Sequence, residues 1–160
     1  MVRARLQWRS GRDQRERGEA VLRIDATTEF GARALRRLRE DEVAWLTTVD
    51  ERGVPLPSPI WFLWDGETIL IYSQPDKPKL RNIASRPQVS LNLDSGVDGE
   101  NIVILTGAAR IDTDAPPLTE ISAYVEKYRS GIQRLGITPE GMAQEFNVPL
   151  RFTPERLRGH

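Results

Sequence analysis

The sequence predicts a mainly β protein with helical insertions, arranged as a small closed or split antiparallel barrel. Three observations predict it. Five or six segments rich in β-formers follow one another through short Gly-, Asp- and Pro-containing turns. Two helical stretches interrupt that succession. The chain has 160 residues, enough for one domain but not for two independent cores.

The elements follow in order. Residues 1–24 are Arg-rich, lack sustained periodicity and are expected to form a flexible N-terminal extension, leaving 25–160 as the barrel domain. Thr27 or Thr28 caps a helix that runs to about Glu40, with Phe30, Ala34, Leu35 and Leu38 on one face and Arg33, Arg36, Arg37 and Arg39 on the solvated remainder. Residues 43–49 form a strand, and 50–53 a hairpin turn with Gly53 at positive φ. A second strand spans 55–64. Its apolar run Ile60-Trp61-Phe62-Leu63-Trp64 is buried on both faces or covered by a partner.

Asp65-Gly66 turns the chain back into a strand at 68–73. A short helix follows over 79–84, then an alternating strand over 89–94. Residues 101–112 form a long strand with a bulge at Gly107. A helix from Asp114 to about Arg129 presents Leu118, Ile121, Val125 and Tyr128. Thr138-Pro139 opens another short helix. Residues 148–157 form the last strand candidate, against which Pro149 and Pro154 argue.

Composition removes several function classes. There is no cysteine, hence no disulfide, thiolate nucleophile or Cys-ligated metal, and the absence fits a reducing, cytoplasmic setting. The only histidine is His160, the last residue, so the body of the fold cannot build a Ser-His-Asp triad or a histidine metal site. A borrowed cofactor that carries its own chemistry becomes the attractive alternative. Residues 1–24 carry seven Arg and three acids, and the remainder 16 basic and 20 acidic residues. The acidic body argues against a nucleic-acid surface. No apolar run approaches the length of a membrane span.

Two segments could carry chemistry. In Tyr72-Ser73-Gln74-Pro75-Asp76-Lys77-Pro78-Lys79-Leu80-Arg81-Asn82 a strand ends and a helix begins among Lys77, Lys79 and Arg81. Free N–H groups at a helix start, neighbouring cations and the Ser73 hydroxyl suit a phosphate, and a plain solvated face has the same pattern. In Pro55-Leu56-Pro57-Ser58-Pro59-Ile60-Trp61 the prolines remove ladder donors. That marks either a protected edge or a strand whose backbone can face a ligand ring.

Together, TTVDERGVPLPSPIWFLWDGETILIYSQPDKPKLRNIASRPQVSLNLD, residues 47–94, resembles the split β-barrel flavin and deazaflavin oxidoreductases, the superfamily of pyridoxamine 5′-phosphate oxidase, and within it the branch of F420-dependent enzymes. The strand at 101–112 and the terminal Arg-Phe-Thr-Pro-Glu-Arg-Leu-Arg-Gly extend the likeness over about residues 25–160.

The resemblance implies a six-stranded antiparallel split barrel. It implies a homodimer with cofactor grooves at the subunit interface, and hydride transfer between coenzyme F420 and a small organic substrate. FMN is the alternative cofactor, and a non-catalytic ligand-binding module the alternative class. By the same resemblance Lys77, Lys79 and Arg81 hold the cofactor phosphate, with Ser73 and Asn82 assisting, and Ser58, Pro59, Ile60 and Trp61 lie along the ring system. Pro78 stands where many relatives carry a small or hydroxylated residue, which removes one phosphate hydrogen bond. No side chain is assigned as catalytic and none as a metal ligand. Tyr124 and Tyr128, four apart on one helix, are expected to pack rather than react. The aromatic run 60–64 is expected to supply dimer or groove surface, so that Trp61→Ala impairs dimer or cofactor binding.

Overall fold

The computed structural model describes residues 21–160. Most of the predicted extension, 1–20, lies outside the described residues. Of its remainder, Leu22 and Ile24 pack against the core.

Helix α1 spans Glu29–Glu40. Its first turn is closed by Thr28, whose hydroxyl accepts the Gly31 N–H at 3.0 Å. Thr28→Ala is therefore expected to cost about 1 kcal/mol in a urea melt, the usual loss for an N-cap, and an unchanged midpoint would show that the bond contributes nothing. Ala34 and Leu38 are buried, as the periodicity requires. Arg37 departs from the expected solvated face. It is bound to Asp41 at 2.7 Å and donates to the carbonyls of Asn101 at 2.7 Å and Asp94 at 2.5 Å. It thereby pins the loop at 94–101 to the helix.

Seven strands form one antiparallel sheet: β1 Val43–Val49, β2 Pro55–Trp61, β3 Leu63–Trp64, β4 Ile69–Ser73, β5 Gln88–Leu93, β6 Val103–Ile111 and β7 Val148–Gly159. Their order is β2-β1-β5-β6-β7-β4-β3. The two edge strands, β2 and β3, are consecutive in sequence and separated only by Phe62. A sheet whose two edges are joined by one residue must curl on itself, and this one forms a half-barrel whose seam lies at Phe62. The predicted barrel of six strands thus has seven, because the run 55–64 is broken there.

The break has a local cause. The Phe62 N–H donates to the Tyr128 hydroxyl at 2.7 Å. Its carbonyl faces that hydroxyl at 2.8 Å and accepts from the Lys127 ammonium at 3.0 Å. Both polar groups of this peptide are satisfied by side chains, so no ladder partner is needed.

The two faces of the sheet carry two cores. Inside the curl, Leu46, Ile60, Phe62, Ile69, Ile71, Leu91, Leu105, Leu150 and Phe152 pack with Ala34 and Leu38 of α1. Outside it, Leu70 and Tyr72 of β4 are covered by Leu118, Ile121, Tyr124, Tyr128, Ile132 and Met142. These come from a 3-10 turn Leu118–Glu120, helix α3 Ser122–Arg134 and helix α4 Pro139–Glu145. The predicted single helix from Asp114 is thus a tight turn followed by a helix that starts later and ends at Arg134. The backbone bends at Ile121 (φ −102°, ψ 91°), which resets the helical phase and turns Tyr124 inward in place of Val125.

β7 is paired on both sides, with β4 and with β6. The two prolines that argued against it are accommodated. Pro154 lies at the register shift opposite Gly107, and the Pro149 carbonyl accepts the Asp112 N–H at 2.9 Å.

Candidate functional site: the start of α2 and the edge strand β2

Helix α2 spans Pro78–Ser85, with Lys77 as N-cap and Pro78 at the first helical position. A proline there has its φ preset and loses no intrahelical bond. Lys77 makes no side-chain cap bond. Asp76, immediately before it, adopts φ 61°, the one described non-glycine residue at positive φ. Aspartate tolerates this left-handed conformation better than most residues. The loop is fixed further by Gln74, whose carboxamide donates to Glu145 of α4.

Lys77 is exposed and Lys79 half-buried. Burial, and then the like charge of Lys77, lower the Lys79 ammonium below its ordinary value. Two mutually repelling cations at a helix start are relieved by an anion. Arg81 is also exposed, but two positions further on it projects about 200° around the helix from Lys79.

Ser73 and Asn82, expected to assist, are already engaged. The Ser73 hydroxyl donates to the Gln74 carbonyl at 2.8 Å, and the Asn82 amide donates to the Thr48 hydroxyl at 2.9 Å. Asn82 does, however, tie α2 to β1, and this brings the two predicted segments together. Thr48 pairs with Leu56, and Leu46 with Ser58, so Ser58 lies two residues, about 7 Å, along the strand from the Asn82 anchor. The Ser58 hydroxyl is buried and has no hydrogen-bond partner among the described residues. A buried hydroxyl without a partner is costly unless a ligand or water meets it.

The remaining members of the β2 set divide between the two faces. Ile60 is buried in the inner core, while Pro59 is exposed and stands opposite Trp45. Trp61 lies against α3, its ring stacked on Tyr128 with centroids 4.4 Å apart and planes within 4°. That stack needs Gly131, since a Cβ there would come within 2.8 Å of the Trp61 ring.

The aromatic run 60–64 is engaged mostly within the chain. Ile60, Phe62 and Trp64 fill the inner core, and Trp61 and Leu63 pack under α3. Among the exposed apolar side chains are two on β1, Trp45 (47% exposed) and Val43 (44%). Sequence pattern missed Trp45, although its alternation with buried Ala44 and Leu46 places it outside the curl.

Tyr124 and Tyr128 are packing residues, as expected. Both are fully buried, and burial pushes both phenols up. Neither reaches solvent to exchange a proton with a substrate. Among the described residues no group of His, Cys, Asp and Glu could hold a metal ion, and no helix is long and apolar enough to cross a membrane.

A curled antiparallel sheet split at one seam, with helices over one outer flank, defines a split-barrel protein. The chain belongs to the pyridoxamine 5′-phosphate oxidase family, whose model matches residues 31–160. No curated protein matches it significantly. Among solved structures it is similar to an F420 reductase, at 21% identity over 77% of this chain and 94% of that one, with a TM-score of 0.54. It is similar to the heme storage protein from Vibrio cholerae, at 19% identity over 86% and 95% of the two chains, with a TM-score of 0.54. A conserved hypothetical protein from Mycobacterium tuberculosis matches at 19% identity over 86% and 84%, with a TM-score of 0.63. At these identities the likeness establishes the fold.

Proposed function

We propose that this chain binds the deazaflavin coenzyme F420 and acts as an oxidoreductase on a small organic substrate. The observation that carries the proposal is the placing of Lys77 and Lys79 at the start of α2, a helix that Asn82 ties to β1, the ladder partner of the edge strand whose Ser58 hydroxyl is unpartnered. The residues present fit a phosphorylated, ring-bearing cofactor: cations for the phosphate, one free hydroxyl, and an edge strand with a single ladder partner. When bound, F420 supplies the hydride. The chain's own part is to bind and orient. Lys77 and Lys79 meet the phosphate, with Arg81 approaching only from the far side of the helix, and the free edge of β2 over Ser58–Trp61 offers its backbone to the ring. Family membership and the likeness to an F420 reductase support this reading.

The test is a fluorescence titration of cofactor-free protein with F420 and, separately, with FMN. Saturable F420 binding that weakens about tenfold or more in Lys79→Ala, the loss of one charge-assisted contact, supports the proposal. Tighter binding of FMN changes the cofactor and keeps the site. Binding without turnover of any acceptor makes the chain a ligand-binding module, and binding of neither cofactor overturns the proposal.

We further propose a homodimer formed through the outer face of β1 and β2, where Trp45 stands beside the exposed prolines of the edge strand. Trp45→Lys is expected to shift the mass measured by light scattering from dimer to monomer. A parent protein already monomeric at micromolar concentration would dispose of the idea.

A further inference from the structure

The seam of the half-barrel is held from α3. The Lys127 ammonium lies 3.0 Å from the Phe62 carbonyl and 3.9 Å from the centre of the Phe62 ring, a hydrogen bond and a cation–π contact to the same residue. The next residue on α3, Tyr128, accepts the Phe62 N–H and stacks its ring on Trp61. Two consecutive side chains thus grip the peptide between the sheet's two edge strands and the last residue of β2.

We propose that Lys127 is a positioning residue: its charged amine clamps the seam at Phe62 and thereby fixes the end of β2 that carries Trp61, along which the cofactor ring is proposed to lie. The inference rests on the functional reading above only in that last clause.

The charges around Lys127 give the clamp a pH range. Burial lowers its ammonium to about 8, against the opposing pull of Asp41 and Glu42 in the connection between α1 and β1. Both acids are shared. Asp41 is paired with Arg37 at 2.7 Å, and Glu42 with Arg134 at 3.2 Å. On α3 itself, Tyr128 faces Lys127 with a phenol raised by burial, and Glu126 pairs with Arg129. At the seam between β2 and β3 the contacting residue is Phe62, which does not titrate. Lys127 is therefore the group in this cluster that changes charge in the mildly alkaline range. Losing that proton removes the cation–π contact and leaves an ordinary amine at the Phe62 carbonyl.

The experiment follows tryptophan emission of the cofactor-free full chain against pH. The parent is expected to show a transition with its midpoint near 8 that vanishes in Trp61→Phe. Lys127→Met is expected to show the alkaline spectrum at every pH, and Lys127→Arg the neutral spectrum at every pH. A lysine that only filled space would not separate the two variants in this way. A transition that survives in Lys127→Met, or none in the parent, overturns the clamp. In parallel, F420 and FMN affinities are measured at pH 7 and pH 9, with a decline of about tenfold expected in the parent and none in Lys127→Arg. If neither cofactor binds, the functional reading fails while the emission result still decides the clamp. If a cofactor binds with equal affinity at both pH values, the link from clamp to ligand strand is overturned.

Discussion

Gly107→Ala is expected to destabilise the protein by about 3 kcal/mol, and to lower its melting temperature by about 6–12 °C for a domain of this size. The cause is geometric. Thr106 is paired with Arg156 but Gly107 with Pro154, so Glu155 is an extra residue in β7. At this bulge β7 crosses directly over Gly107. A Cβ on Gly107 would lie 2.1 Å from the Thr153 carbonyl oxygen and 2.9 Å from both the Glu155 nitrogen and the Pro154 Cα. All three are backbone atoms of β7, held there by its ladder to β6, so none can yield as a flexible side chain would. Relief requires β6 and β7 to separate, which strains the longest ladder in the sheet. A thermal melt within about 2 °C of the parent would show that the bulge can shift instead. By contrast Gly131→Ala meets only the Trp61 ring at 2.8 Å, and a side chain can move aside at smaller cost.

Gly107 also shows what the sequence could and could not announce. A glycine inside an otherwise β-rich run signals a bulge, and the bulge is there, but the extra residue belongs to the partner strand. Strands whose apolar residues alternate were legible for the same kind of local reason. Val89, Leu91 and Leu93 are buried on one face of β5, and Ala44 and Leu46 on one face of β1. The break at Phe62 was not legible. Its hydrogen-bond partners are on α3, 65 and 66 residues further along, and nothing in the apolar run 60–64 encodes them. The same distance in sequence hid β7. Its prolines disfavour a central strand locally, while the fold supplies a bulge for one and an acceptor role for the other.

The candidate site was legible in its charges and less so in its hydroxyl and amide groups. Lys77 and Lys79 stand at a helix start because a strand end, two prolines and alternating cations define that turn locally. Whether a polar side chain is free depends on what folds against it. Asn82 is spent on Thr48, 34 residues earlier, whereas the Ser58 hydroxyl is left without a partner. Aromatic content likewise drew attention to Trp64, which the fold buries, and Trp61, which it half-buries against α3, and away from Trp45, which it leaves half-exposed.

Arg151→Met is expected to cost about 3 kcal/mol and to flatten the acid limb of the stability curve. Arg151 is buried in β7, where its Nε donates to Asp112 at 2.8 Å and its Nη1 to Thr68 at 2.9 Å and to Asp65 at 3.2 Å. One side chain thus ties β7 to the turn before β4 and to the residue that follows β6. Removing the guanidinium leaves the Asp112 carboxylate buried, with only the half-exposed Arg110 at 3.0 Å to compensate. Asp65 suffers less, because its carboxylate also accepts the N–H groups of Glu67 and Thr68.

Burial alone would push the Asp112 carboxyl up, but the hydrogen bond and charge of Arg151, then those of Arg110, outweigh it and hold the group below the usual carboxylate range. A folded value below the unfolded one means that the unfolded chain binds more protons in the interval between them. The contribution is therefore complete above the unfolded value, near pH 4, and is lost as pH falls through the folded value. Urea melts of the parent should lose stability more steeply below about pH 4 than those of Arg151→Met, where the folded and unfolded values converge. The double variant Arg151→Met with Asp112→Leu should recover much of the loss, since an apolar pair of similar volume removes the stranded charge. A single variant within 1 kcal/mol of the parent, or parallel acid limbs, would mean that Arg110 and solvent already neutralise Asp112 without Arg151.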